Sequence, residues 1–306
     1  MPGQYDERRL GPPCPEMIKG PPDAQWQDIG WNSIFLQLPA SWQSTVIYPS
    51  YLFFEDKGQA IFEIKWQQIK GKFSSKKNLA GIQKTLINGE LSTWEIPADL
   101  QHLLTSYTVS GFQLQHKNNS SHGMLIYCSI CKRVTLLQWY FNPESEKKIL
   151  KQILTSFRDH TEEADQIWSV FDIKTLLPVE AALLSHEFLP GQYTLSFELG
   201  ITSVTLYRFK PAAILLQNKN IGEFGTALIN KEPLEIENYS AIWHHRAKGL
   251  ERFLAKTRSQ PACQWMRLWH NVEQNVILGV KAEGKRFTET DWLEKICANY
   301  VSIESR

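Results

Sequence analysis

Apolar residues recur with helical spacing in two stretches of the chain, residues 144–160 and 288–300. In each stretch they lie on one face of a 3.6-residue period, which predicts an amphipathic helix. The positions are Ile149, Leu150, Ile153, Leu154 and Phe157 in the first stretch, and Trp292, Leu293, Ile296, Cys297 and Tyr300 in the second. The two sets are 143 residues apart throughout, which is the first sign of an internal repeat.

The segments before these helices also match each other. Residues 124–136 and 266–278 each read as an apolar strand, a polar turn and a second apolar strand, at an offset of 142. This order predicts a β-hairpin in each half of the chain, with turns at Ser129–Arg133 and Asn271–Asn275. An earlier helix is predicted in each half, and both helices end in Leu-Ile-Asn, at 86–88 and 228–230.

The beginnings of the two halves resemble each other less closely. Ile34–Pro39 resembles Phe171–Pro178, and a predicted hairpin follows each of them, with offsets that drift between 139 and 143. The hairpins pair Tyr51–Phe54 with Ala60–Trp66 and Tyr193–Phe197 with Ser203–Phe209. The matched segments occur in the same order in both halves, and their offsets are all near 142 residues. This pattern indicates a duplication; the alternative is two unrelated α+β domains whose patterns coincide.

The repeated pattern predicts an α+β fold made of two tandem copies of an antiparallel sheet. Helices would flank each sheet, in an arrangement similar to an α/β/α sandwich. The first repeat would span residues 31–160 and the second residues 161–306, with the boundary in the charged stretch 161–166. Residues 1–30 are rich in Pro and Gly, which predicts an N-terminal arm without helix or central strand.

Three features of the first copy resemble the PsbP-like family, named after an extrinsic subunit of photosystem II. They are the strand end Leu38–Trp42, the aromatic hairpin 51–66 and the helix end Leu154–Phe157. The second copy resembles the family less, because Ser-Trp does not follow Pro178. The resemblance implies a non-enzymatic adaptor or assembly role, since members of that fold typically bind other proteins. It implies nothing about photosynthesis, because no thylakoid-targeting segment is expected in the chain.

Composition and charge exclude some classes of function. The 306 residues carry a net charge of +1, and residues 1–160 carry +3 while residues 161–306 carry −2. A general nucleic-acid binder would be more basic. The lysines between Lys65 and Lys77, close to Trp66, therefore indicate a solvated loop, and no nucleic-acid partner is expected.

The chain has 11 Trp, 15 Phe and 10 Tyr, and aromatic residues can anchor a protein partner. Six tryptophans are candidate anchors: Trp31, Trp42, Trp66, Trp139, Trp243 and Trp269. Most of the tryptophans fall at core-compatible positions of the aligned strands and helices, so their abundance is better evidence for how the sheets pack.

The first thirty residues lack an apolar stretch long enough for a signal peptide or membrane anchor. No window approaches about 20 consecutive apolar residues, so we expect no membrane association. Five cysteines is an odd and low count for a disulfide scaffold. These features predict a soluble, cytoplasmic protein.

Cys128 and Cys131 form a C-x-x-C pair at a predicted hairpin turn, the spacing of a zinc knuckle. A closed zinc site needs four ligands, and only His116 and His122 are close in sequence. The repeat aligns the two cysteines with His270 and Glu273, so the second copy does not keep the thiols. We therefore expect a plain turn, no metal and no cofactor, with zinc binding or a redox pair as alternatives.

No catalytic residue can be nominated from the sequence. His244 and His245 are adjacent on a predicted strand and would point to opposite faces, so they cannot chelate one metal. No nucleophile elbow, metalloprotease motif or phosphate-binding glycine loop occurs. The sequence therefore predicts a non-enzymatic protein-interaction or assembly module. The alternatives are a small-ligand or zinc-binding protein, or an enzyme of unrecognised type.

Overall fold

The computed structural model describes residues 26–85, 89–116, 119–249, 261–285 and 290–303. Most of the predicted N-terminal arm, the first Leu-Ile-Asn triplet and Cys14 lie outside the described residues.

The described residues contain six α-helices, all short. They are α1 Ser75–Thr85, α2 Ala98–Gln101, α3 Lys147–Ser156, α4 Ala212–Leu215, α5 Ile221–Ile229 and α6 Asp291–Asn299. A single 3₁₀ turn, His102–Leu104, follows α2.

The strands are more numerous, and they are named here in chain order. In the first half they are β1 Trp26–Trp31, β2 Ile34–Pro39, β3 Gln43–Tyr48, β4 Tyr51–Asp56, β5 Gln59–Gln68, β6 Gly89–Thr93, β7 Thr108–His116, β8 Asn119–Cys128 and β9 Arg133–Trp139. In the second half they are β10 Asp165–Val170, β11 Ile173–Pro178, β12 Ala182–Leu189, β13 Gln192–Leu199, β14 Thr202–Phe209, β15 Glu235–Ile236, β16 Ser240–Arg246, β17 Cys263–Asn271, β18 Val276–Gly284 and β19 Val301–Ser302.

The predicted α+β fold, with helices flanking each sheet, is wrong. Strands hold 50% of the described residues and helices 20%, in three large antiparallel sheets. The error has two physical causes. Each of the described helices is at most 11 residues long, which is short relative to a seven-stranded sheet. The apolar segment at the start of each half, moreover, is not a single strand but a hairpin, and it pairs with the hairpin of the other half.

Those two hairpins build a central five-stranded sheet in the order β19-β11-β10-β1-β2. Gly30 of β1 lies opposite Ser169 of β10 where the two hairpins meet. The backbones approach closely there, because a Cβ added to Gly30 would stand 2.9 Å from the carbonyl carbon of Ile167 and closer still to its oxygen. The Ser169 hydroxyl donates to the carbonyl oxygen of Asp28 at 2.8 Å, which adds a second link between the halves.

The other two sheets have seven strands each. Their orders are β3-β4-β5-β9-β8-β7-β6 and β12-β13-β14-β18-β17-β16-β15, so they correspond strand for strand. We call the first sheet with α1–α3 the first lobe, and the second sheet with α4–α6 the second lobe. The hairpins predicted at Tyr51–Trp66 and Tyr193–Phe209 are present as β4–β5 and β13–β14. Duplication as the origin of this correspondence stays a prediction, as does the PsbP-like resemblance.

The largest hydrophobic core lies between the sheets and contains residues of both lobes. Trp31 of β1 meets Trp168 of β10 edge to face at 5.3 Å, and Trp168 meets Phe197 of β13 at 4.6 Å. A second, smaller core lies under α5, where Phe224 packs edge to face on Phe209. The shared core makes the central sheet the element that holds the lobes together.

Candidate metal centre

The turn between β8 and β9 brings two thiols together. Cys128 ends β8, and Cys131 lies in the turn just before β9 begins at Arg133. Lys132 has the left-handed φ of 54° that lets a four-residue turn close the hairpin. The turn is held from outside by the chain after β5, where the Ile69 amide donates to the Lys132 carbonyl oxygen at 2.9 Å.

The chain that leaves α3 delivers two more ligand groups to the same place. Phe35 of β2 and Arg158 form an isolated antiparallel bridge, with both amide–carbonyl bonds at 2.8 Å. This bridge fixes the direction of the chain after α3. The next two residues, Asp159 and His160, consequently lie beside the β8–β9 turn, before the chain enters β10.

Four ligand atoms, one from each residue, all lie within 4.8 Å of one another: those of Cys128, Cys131, Asp159 and His160. We call these residues the Cys–Asp–His cluster. The Cys131 thiol donates to Asp159 Oδ2 at 3.1 Å, and Cys128 Sγ lies 3.7 Å from His160 Nδ1. His160 Nδ1 is 2.7 Å from Asp159 Oδ1, which is a hydrogen bond.

The cluster is largely closed to solvent. Cys128 is 2% exposed and Asp159 1% exposed, while Cys131 and His160 are half-buried. Burial, and then the neighbouring Asp159 carboxylate, raise the pKa of the Cys131 thiol to about 12. The thiol therefore stays protonated at neutral pH as long as no cation is bound beside it.

The Asp159 carboxylate has polar neighbours but no lysine or arginine side chain paired with it among the described residues. Tyr107 donates its hydroxyl to Oδ1 at 3.4 Å, and Arg133 donates to the Asp159 carbonyl oxygen rather than to the carboxylate. The basic group next to it is the His160 imidazole, which is a cation only when protonated, and beside a neutral imidazole a buried carboxylate is unfavourable. A metal ion between this carboxylate, the imidazole and two thiolates would supply the missing positive charge.

The donor set indicates which metal would fit. Two thiolates, one imidazole nitrogen and one carboxylate oxygen suit a tetrahedral Zn²⁺ ion. Zn–S bonds of about 2.3 Å place two thiolates about 3.8 Å apart, within the spread of the cluster. One distance does not fit zinc binding. His160 Nδ1 and Asp159 Oδ1 are 2.7 Å apart, whereas two atoms bonded to the same zinc ion are more than about 3 Å apart. Binding would replace the shared proton and move these two atoms apart.

The second lobe has a hydrogen-bonded counterpart of the cluster. The β17–β18 turn spans residues 272–275, and Asn275 has a φ of 53° that matches Lys132. The matching turns show that the two hairpins are offset by 143 residues, and not by the 142 of the sequence alignment. The difference matters, because a shift of one residue moves every side chain to the opposite face of its strand. Cys128 and Cys131 therefore correspond to Asn271 and Gln274, not to His270 and Glu273.

In the second lobe, the side-chain amides of Asn271 and Gln274 connect the β17–β18 turn to the chain after α6. In the first lobe, the Cys–Asp–His cluster would make the corresponding connection. Asn271 donates its side-chain amide to Gln274 Oε1 at 3.0 Å, and Gln274 donates to the Ser302 carbonyl oxygen at 3.0 Å. Ser302 corresponds to Asp159, since both follow the terminal helix of their lobe by three residues. Each lobe thus ties its long hairpin to the chain leaving its last helix.

Two histidines, His116 and His122, were the further ligands considered from sequence, and the structure tests only His122. His122 packs edge-on against Trp94 at 5.3 Å, burial lowers its pKa, and it is not a member of the cluster. The side chain of His116 lies outside the described residues. His244 is exposed and His245 half-buried, as expected for neighbours on a strand. Asp159 and His160 were missed because only the fold brings them to the turn.

None of the described helices is long and apolar enough to cross a membrane. The sequence matches no protein-family model, and no curated protein is significantly similar to it.

Proposed function

We propose that the chain binds one Zn²⁺ ion at the Cys–Asp–His cluster and that the ion has a structural role. The observation that carries the proposal is the convergence of four ligand atoms within 4.8 Å from two separate segments, 128–131 and 159–160. Four protein ligands fill the tetrahedral shell of zinc and leave no position for a substrate or an activated water. This favours a structural site over a catalytic one.

The ion would join the β8–β9 turn to the connection between the lobes. Residues 157–164 form that connection, because α3 ends at Ser156 and β10 begins at Asp165. β10 lies next to β1 in the central sheet, so the path of this connection sets how the two lobes meet. Zinc would do with coordinate bonds what the Gln274–Ser302 hydrogen bond does at the corresponding place in the second lobe.

The protein-interaction role predicted from sequence loses its original support and stays a prediction. Six tryptophans were considered as anchors for a partner, and five of them are at most 6% exposed: Trp31, Trp42, Trp66, Trp139 and Trp243. The sixth, Trp269, is half-buried against Tyr300. Their abundance therefore reflects how the sheets pack.

The test is the zinc content of the purified full-length chain, measured by inductively coupled plasma mass spectrometry. We expect about one zinc per chain for the wild type and for Cys263→Ala, which removes a buried thiol of β17 outside the cluster. Cys131→Ala should lose the metal, and Asp159→Asn, which keeps the shape of the side chain, should bind it more weakly. A wild type with less than about 0.1 zinc per chain after growth and dialysis in zinc would end the proposal.

A further inference from the structure

The β8–β9 turn presents an exposed apolar residue close to several lysines. Ile130, at the tip of the turn, is 71% exposed. Lys132 follows in the same turn, and the bond between Ile69 and Lys132 brings the loop after β5, with Lys70 and Lys72, alongside it. All three lysines are exposed, and none has an acidic side chain within 4 Å in the part of the chain that is described. We call this surface the basic turn.

The basic turn is particular to the first lobe. The Ala212 amide donates to the Asn275 carbonyl oxygen at 2.9 Å, as Ile69 donates to Lys132. This bond aligns the two loops, so Ala213 and Leu215 stand where the first lobe has Lys70 and Lys72. The charge is therefore not a requirement of the turn or of the loop beside it.

A second exposed surface has the opposite charge. It runs along 234–239 at the β15 edge of the second lobe, and we call it the acidic edge. Leu234 is 71% exposed, Ile236 51% and Tyr239 58%, and these apolar residues alternate with the exposed Glu235 and Glu237. Among the described residues β15 is the last strand of its sheet, and no other described strand lies beside its outer side. An exposed apolar sheet edge is a natural place for another chain to dock.

The two lobes differ in what lies beside this edge. In the first lobe the connection from β6 to β7 spans 94–107 and buries Leu100 and Leu104 in the core. In the second lobe the corresponding connection, from β15 to β16, is only 237–239. An open groove of about 410 Å³ is left there, lined by 237–240, Trp269 and His270. In the part of the chain that is described, the acidic edge therefore has an uncovered recess next to it.

We propose that the basic turn of one chain docks on the acidic edge of a second copy of the same chain. Leu234 and Ile236 point to one face of the edge, and Glu235 and Glu237 to the other. The basic turn would therefore straddle the edge, with its lysines on the side of the glutamates and Ile130 on the side of the apolar residues. Each surface offers exposed apolar side chains together with charges of one sign, and the two signs are opposite. Because the two surfaces differ, the contact is head to tail, and one chain can engage two neighbours.

Other partners for the basic turn fit less well. A nucleic acid would need exposed aromatic rings for stacking, but Trp66 is 6% exposed and Phe73 is stacked on Tyr127 at 4.6 Å. A nucleic acid or an anionic membrane would also leave the acidic edge unused. The second copy accounts for both surfaces with one contact.

The test is sedimentation velocity of the zinc-loaded full-length chain. At about 0.1 M NaCl the Debye length is about 10 Å and at about 1 M it is about 3 Å, so association should be evident at low salt and weaken at high salt. Lys70→Glu/Lys72→Glu and Glu235→Lys/Glu237→Lys should each weaken it about tenfold at low salt, as like charges then face each other. The control Lys248→Glu/Lys285→Glu changes the net charge as much as the first pair at exposed positions elsewhere and should have no effect.

Two further samples separate a specific contact from a general charge effect. The chain carrying both sets of reversed charges should associate again, because the complementary charges are restored with exchanged signs. A mixture of the two single-surface variants should form hetero-dimers, since each retains one intact surface. Ile130→Ser should weaken association at both salt concentrations.

None of the substituted lysines and glutamates belongs to the Cys–Asp–His cluster, so the zinc content should be unchanged in every charge variant. The outcomes are therefore distinguishable from those of the zinc proposal. A wild type that stays monomeric at about 100 µM and low salt overturns the inference, as this concentration reports contacts as weak as about 10⁻⁴ M. Equal loss in the control variant also overturns it. So does failure of the combined reversal to restore association.

Discussion

The junction of the two lobes makes Gly30 a position where adding a single methyl group should be costly. Gly30→Ala would place a Cβ 2.9 Å from the carbonyl carbon of Ile167 and closer still to the oxygen. Backbone atoms of a paired strand cannot turn aside as the end of a flexible side chain can. β1 would have to move away from β10, which would also disturb the Ser169–Asp28 hydrogen bond.

The expected loss of stability is about 1 to 3 kcal/mol, the usual cost of adding a methyl group to a packed site. The matched control is Gly81→Ala in α1, where a Cβ meets nothing within 4 Å. That variant should gain up to about 1 kcal/mol, the helix propensity difference between Ala and Gly. Urea unfolding followed by far-UV circular dichroism measures both midpoints. If Gly30→Ala unfolds at the same or a higher urea concentration than the wild type, the close pairing of β1 and β10 is wrong.

Three further predictions concern stability and reactivity. Zinc at about 1,000 times its dissociation constant should stabilise the wild type by about 4 kcal/mol, seen as a rise in melting temperature that a chelator reverses, and Cys131→Ala should not respond. Alkylation by iodoacetamide at alkaline pH, located by peptide mass spectrometry, should label Cys131 in the reduced zinc-free protein more slowly than an exposed cysteine, because burial and Asp159 raise the pKa of its thiol, and zinc should block the labelling. Cys263 and Cys297, both buried, should stay unlabelled in either form until the protein unfolds, and labelling of Cys297 in the folded protein would contradict the packing of α6. Arg208→Ala should destabilise the second lobe by up to about 3 kcal/mol, because it leaves the buried Asp172 carboxylate with only the longer ion pair to Lys210 at 3.7 Å. Lys295→Ala, which breaks the exposed pair with Asp165, should cost about 1 kcal/mol or less in the same denaturation assay.

Local patterns in the sequence predicted the elements better than their arrangement. The 3.6-residue spacing around Ile153 and Ile296 predicted α3 and α6, and the aromatic runs predicted the hairpins that became β4–β5 and β13–β14. The central sheet could not be predicted in this way. A hairpin has the same alternation whether it pairs within its own half or, as at Gly30 and Ser169, with the other half.

The candidate site was half visible in the sequence. The C-x-x-C spacing singled out Cys128 and Cys131, because two ligands on one turn are a local feature. Asp159 lies 28 residues from Cys131 in sequence and reaches it only through the bridge between Phe35 and Arg158. An Asp-His dipeptide directly after a terminal helix was the available signal. The one-residue error in the repeat alignment concealed its hydrogen-bonded counterpart at Gln274 and Ser302.

Zinc K-edge X-ray absorption of the zinc-loaded full-length chain tests the central claim most directly. Because the spectrum reports the atoms bonded to the metal, it distinguishes the Cys–Asp–His cluster from a loosely bound surface ion. The account predicts two sulfur atoms at about 2.3 Å and two nitrogen or oxygen atoms at about 2.0 to 2.2 Å. One sulfur should be lost in Cys131→Ser if the metal is retained at all. A zinc ion surrounded only by nitrogen and oxygen in the wild type would contradict the account.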